Sequence, residues 1–136
     1  MYTTSGTSPN PIFIEMEETV RRCFVADETV TVGQMVKLQS DGTITPVTAA
    51  TDFPIGYVLV PAKDGKEATV SLSARAIVKS VADGSVTRGQ LVSATADGYA
   101  DSGNYDVVSG VALTTAADAA ELEVAVLYNP FVYWVD

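Results

Sequence analysis

The chain has 136 residues, a formal net charge of -9, no His and one Cys. Without His it lacks the commonest metal ligand and the usual general base, and the lone Cys23 excludes a disulfide framework within the chain. The acid excess argues against nucleic acid, whose binding rests on Lys and Arg neutralising phosphates. This length allows one domain with a core that needs no staples, and no apolar run approaches the 18 residues of a membrane span. Val and Thr supply 35 residues against 12 Leu and Ile, a β-branched bias that predicts an all-β fold.

Residues 1–18 read as a flexible arm, because the first eleven are mainly Thr, Ser, Gly, Pro and Asn and cannot fill a core. They have no basic region followed by an apolar core, so a signal peptide is not expected. Ile12-Phe13-Ile14 is an apolar anchor that either docks on a partner by strand addition or begins this protein's own sheet. Glu15 to Arg22 has helical composition, whereas Val20 to Val25 fits a strand.

A β-domain is predicted over 19–127, with an internal duplication into 26–81 and 82–127. Ala26-Asp27-Glu28-Thr29-Val30-Thr31-Val32-Gly33-Gln34-Met35-Val36 matches Ala82-Asp83-Gly84-Ser85-Val86-Thr87-Arg88-Gly89-Gln90-Leu91-Val92 with seven identities in eleven, at an offset of 56. Asp41-Gly42 falls on Asp97-Gly98 at that offset. A two-residue deletion then aligns Ile55-Gly56-Tyr57-Val58 with Ser109-Gly110-Val111-Ala112, and Thr69 to Leu72 with Glu123 to Val126. Two copies are too few for an open solenoid but can close one compact domain.

Within the first copy, Met35–Gln39 and Thr43–Val47 are predicted strands around the Asp41-Gly42 hairpin turn. Ile55–Val60 is expected to be a buried strand, and Asp64-Gly65 turns into the alternating strand Ala68–Ser73. Arg75–Val81 is expected to be a strand joining the copies, around Ala76-Ile77-Val78. In the second copy, Ala116–Ala120 could add one helical turn, too short to stand alone. The aromatic tail 128–136 contains Phe131, Tyr133 and Trp134, which suit either a core flap or a subunit interface.

No catalytic constellation emerges. Asp27, Asp41, Asp64, Asp83, Asp97, Asp101 and Asp118 sit in turns, where Asp bonds its own backbone, although paired carboxylates can also serve glycosidases. Asp97 to Asp101 loosely suggests a calcium loop without the full EF-hand pattern. Cys23 reads as a small buried hydrophobe, or as a thiol whose pKa Arg21 and Arg22 lower. No cofactor or metal site is expected. Residues 83–136 carry a net -7, which serves solubility or leaves the mixed first half to dock on a partner.

The order Ala-Asp-x-x-Val-x-x-Gly-Gln-Φ-Val (Φ apolar), Asp-Gly, Gly56-Tyr57-Val58 or Gly110-Val111-Ala112, then a turn and a final strand resembles the small capsid decoration proteins of tailed bacteriophages. These are also called head auxiliary or cement proteins, and the resemblance covers residues 19–127. It implies a β-tulip-like or β-barrel-like domain, usually a homotrimer, bound to the major capsid protein at the virion surface after synthesis in the host cytoplasm. It implies no enzyme activity. On that basis Ile12, Phe13 and Ile14 are the expected capsid contacts, and Phe131, Tyr133 and Trp134 the expected intersubunit or core contacts. The alternatives are a head fibre base or tail adaptor, and a carbohydrate-binding module stacking sugars on Tyr57, Tyr99, Tyr105 or Trp134.

Overall fold

The computed structural model describes residues 20–49, 51–72, 76–102 and 107–127. Ten strands form: β1 (Arg21–Val25), β2 (Met35–Leu38), β3 (Ile44–Pro46), β4 (Gly56–Val60), β5 (Glu67–Ser71), β6 (Ile77–Val81), β7 (Leu91–Ala94), β8 (Ala100–Asp101), β9 (Val108–Ala112) and β10 (Glu121–Val126). They build two antiparallel five-stranded sheets, ordered β1-β5-β4-β2-β3 and β6-β10-β9-β7-β8. The second order is the first shifted by five strands. The fold is therefore all-β, as the Val and Thr content predicts, and the described residues contain no helix. Val20–Val25 follows its strand reading over Arg21–Val25. The strand expected over Arg75–Val81 is β6 (Ile77–Val81), which opens the second sheet as β1 opens the first.

Period-two alternation explains how each sheet builds its own core. In the first sheet Val36, Ile44, Val58, Ala68 and Val70 point to one side, where Ala26 and Val30 join them in a buried cluster. In the second, Val78, Val92, Leu122 and Val124 do the same. Each sheet curls until its edge strands meet. A parallel bridge joins Ala26 to Ile44 in the first sheet and Ala82 to Ala100 in the second.

The matching residues make matching bonds. The Gln34 side-chain oxygen accepts the Thr31 N–H at 2.8 Å, and that of Gln90 accepts the Thr87 N–H at 2.7 Å. The Gly33 N–H donates to the Val58 carbonyl at 2.9 Å, and the Gly89 N–H to Ala112 at 2.8 Å. The Ala116–Ala120 segment forms a turn rather than a helical turn. In it the Ala119 N–H bonds the Ala82 carbonyl at 2.8 Å, as Gly65 bonds Ala26 at 2.8 Å. Ala119 takes a left-handed φ of 68°, where the first copy has Gly65 at 82°.

The halves meet asymmetrically. Met35 and Tyr57 lie on the opposite side of the first sheet from Val36 and Val58, and with Val47 they pack into the second half's core. Three elements of the second half cover them: β6, the 97–98 turn and the start of β9. The Met35 N–H donates to the Gly98 carbonyl at 2.8 Å, and the Gln34 side-chain amide donates to the Asp97 carbonyl at 2.8 Å. The Ser80 hydroxyl donates to the Gly33 carbonyl at 2.8 Å, and the Tyr57 hydroxyl to the Ser109 carbonyl at 3.2 Å. Backbones approach so closely that a Cβ on Gly98 would lie 2.5 Å from the Met35 carbonyl oxygen, and one on Gly33 2.7 Å from that of Lys79.

Gly42 and Gly98 isolate the energetic weight of this contact. Both have left-handed φ values, 89° and 81°, so Ala strains the backbone alike at either site. At Gly42 a Cβ meets nothing within 4 Å. Gly98→Ala is expected to cost about 1–3 kcal/mol more than Gly42→Ala, the range for overpacking a tight site. Urea unfolding of the two variants in dilute solution measures that difference.

Candidate docking surface

Two of the turn carboxylates accept hydrogen bonds, one within its own turn and one from a distant segment. Asp41 accepts the Thr43 hydroxyl at 2.7 Å and the Thr43 N–H at 3.0 Å, and these two bonds hold its carboxyl below the usual range. Asp118 accepts the Gly84 N–H at 2.9 Å. Among the described residues, no group of three or more His, Cys, Asp and Glu could hold a metal ion. An open cavity of about 80 Å³ is lined by Lys79, Thr114, Glu121, Leu122 and Glu123, well below the roughly 300–1,000 Å³ of ligand sites.

Two sequence expectations are corrected. Cys23 is exposed, not buried. Its strand lies at a sheet edge, and alternation directs Phe24 and Ala26 toward the core while Cys23 faces out, 3.6 Å from the Thr69 hydroxyl. Tyr57 cannot stack a sugar, because it is fully buried between the halves. Tyr99 is half-buried, whereas Tyr105 and Trp134 lie outside the described residues. So do the proposed arm contacts Ile12, Phe13 and Ile14, and the tail residues Phe131, Tyr133 and Trp134.

The described surface offers a different feature. Ile77 on β6 lies opposite Ala125 on β10, Ala125 opposite Val111 on β9, and Val111 opposite Leu91 on β7. This continuous apolar row crosses four strands on the side of the second sheet turned away from its core. Ile77 is 67 % exposed and Leu91 39 %. The neighbouring rows are polar, with Lys79 paired opposite Glu123 and its ammonium 3.9 Å from the Glu121 carboxylate. The sequence alone does not single out the row, because alternation marks an apolar face without saying what covers it. Its signal was the outward parity shared by Ile77, Leu91, Val111 and Ala125.

Near the first sheet's far edge, Asp52 ties down the loop after β3. One carboxylate oxygen accepts the Lys37 ammonium at 3.0 Å, the Thr48 hydroxyl and N–H at 3.0 Å each, and the Ala49 N–H at 3.1 Å. Burial pushes the Asp52 carboxyl up, but the bonds from Lys37 and Thr48, with the Lys37 charge, outweigh it and hold the carboxyl below its ordinary range.

No family model matches the chain, and no curated protein matches it in sequence. In fold it is similar to the N base of the head fibre protein gp8.5 of bacteriophage phi29. That similarity has a TM-score of 0.64 and 17% identity, and it covers 80% of this chain and 94% of that one. At this identity the likeness is one of fold.

Because the folded state lowers the Asp52 pKa, its contribution is present above the unfolded carboxylate value and is lost as pH falls through the folded value. Asp52→Asn is expected to cost roughly 1–2 kcal/mol at neutral pH, the scale of losing charge-assisted hydrogen bonds. The cost should shrink as the medium is acidified through the carboxylate range. Chemical unfolding of both proteins across that range checks the sign, and a cost that grows in acid would contradict it.

Proposed function

We propose that the chain is a structural component of a phage head, seated on the outer surface of the capsid through the major capsid protein. The observation that carries this reading is the fold similarity spanning 94% of a head fibre base. The internal motifs, which resemble capsid decoration proteins, point the same way from the sequence. Decoration as trimers is the form that resemblance implies, with Ile12, Phe13 and Ile14 gripping the capsid. The base of a fibre is the second form, and the phi29 neighbour favours it. Either one uses a rigid β-domain whose individually weak contacts add up on a symmetric shell.

Copy number in purified particles separates the forms. Quantitative mass spectrometry should give a simple fraction of the major capsid protein for decoration, and a smaller number confined to a subset of sites for fibres. Absence from particles would overturn the proposal. Phe13→Asp should reduce the amount bound to particles at least about tenfold, as loss of an interface anchor does, while leaving the thermal unfolding of the isolated protein unchanged. Undiminished occupancy would remove the arm from the contact.

A further inference from the structure

The two sheets share one strand order, yet among the described residues only the first has its outer face covered at Met35, Tyr57 and Ser71, while Arg21 in the same row stays exposed. In the first sheet the row Met35, Tyr57, Ser71 and Arg21 runs across β2, β4, β5 and β1. The row Leu91, Val111, Ala125 and Ile77 occupies the same places on β7, β9, β10 and β6. Met35, Tyr57 and Ser71 are buried by the second half, and so are Gly33 and Gln34, whereas Gly89, Gln90 and Leu91 are exposed. The receiving face of the internal contact thus exists twice and is filled once.

The covering face also exists twice. In the second half it consists of Lys79 and Ser80 on β6, the Asp97-Gly98 turn and Ser109. The same places in the first half hold Cys23 and Phe24, the Asp41-Gly42 turn and Ile55. Cys23, Asp41 and Gly42 are exposed, and Phe24 and Ile55 are half-covered. Phe53, two residues before Ile55, is 54 % exposed. A Cβ on Gly42 or Gly89 meets nothing within 4 Å, whereas the internal contact closes tightly on Gly98 and Gly33.

We infer that a second copy of this chain fills the vacant face, its first half seating on Leu91, Val111 and Ala125 as the second half seats on Met35, Tyr57 and Ser71. The residue exchanges between the copies fit such a contact. The polar internal pair Tyr57 and Ser109 becomes the apolar pair Val111 and Ile55, and Ser80 against Gly33 becomes Phe24 against Gly89. An interface between chains thereby gains apolar surface, its main driving force. The contact is head-to-tail, since one face of each copy meets a different face of the next. Such contacts close into a ring or run on as a filament. None of this depends on the capsid reading, because it concerns the isolated protein.

Sedimentation analysis of the isolated full chain tests the inference with two variants. Leu91→Glu damages only the receiving face. Gly42→Asn damages only the covering face, and Asn tolerates the left-handed backbone there. Both sites are exposed, so each variant should keep the circular dichroism spectrum of the parent. The parent should self-associate as concentration rises, into a closed ring or a lengthening chain, and each variant alone should associate at least about tenfold more weakly, the loss typical of a central contact. An equimolar mixture of the variants should form a one-to-one dimer, because each retains the face that the other lacks. A parent that stays monomeric would overturn the inference and leave the row to the chain's own 128–136 segment or to a different partner. A variant with undiminished association, or a mixture that forms no dimer, would overturn the head-to-tail geometry.

Discussion

Everything in this molecule hangs on the close approach of the Asp97-Gly98 turn to the Gly33-Gln34-Met35 segment. A Cβ on Gly98 would run into the Met35 backbone there, and one on Gly33 would run into the β6 backbone at Lys79 and Ser80. The Gln34 side chain spans the gap by bonding Thr31 in its own half and the Asp97 carbonyl in the other. Close approach lets Met35, Val47 and Tyr57 leave solvent and join the second half's core. Each half otherwise has a modest core of its own, and small isolated β-units of that size are marginal. Docking adds Tyr57, the largest fully buried side chain among the described residues, to the second half's cluster, while the first sheet keeps its own.

The sequence carried much of this pattern in readable form. Ala-Asp, Gly-Gln and Asp-Gly recur because each performs a fixed backbone task. Ala26 and Ala82 bridge the sheet edges, Gly33 and Gly89 take a positive φ, and Gln34 and Gln90 cap the same turn. Parity was harder to read. Cys23 was expected inside because it is small and apolar, but its edge strand turns that parity outward. Tyr57 lies in the stretch Ile55–Val60 that reads as a buried strand, and it is buried against the other half of its own chain, which removes it as a sugar platform. The apolar row from Ile77 to Leu91 was invisible because alternation marks an apolar face without saying what covers it.

On the proposed reading, in which the protein sits on a symmetric shell, this division of labour is physically sensible. A duplicated unit presents two similar faces in different surroundings, so one can be spent on internal stability while the other stays available. The second half's acidic excess suits an outward surface that keeps particles apart in solution, and the first half's mixed charge suits contact with a partner. The similarity to a head fibre base concerns the folded β-domain, whereas the arm at 1–18 and the tail at 128–136 carry the sequence-derived candidates for contacts beyond it.

The most direct test of the central claim, that the contact between halves makes the domain one structure, is differential scanning calorimetry of the isolated protein. A single transition whose calorimetric enthalpy equals its van't Hoff enthalpy is the predicted result, because neither half should survive loss of the shared core. Two separable transitions, one for each sheet, would show that the halves fold independently and would contradict the account.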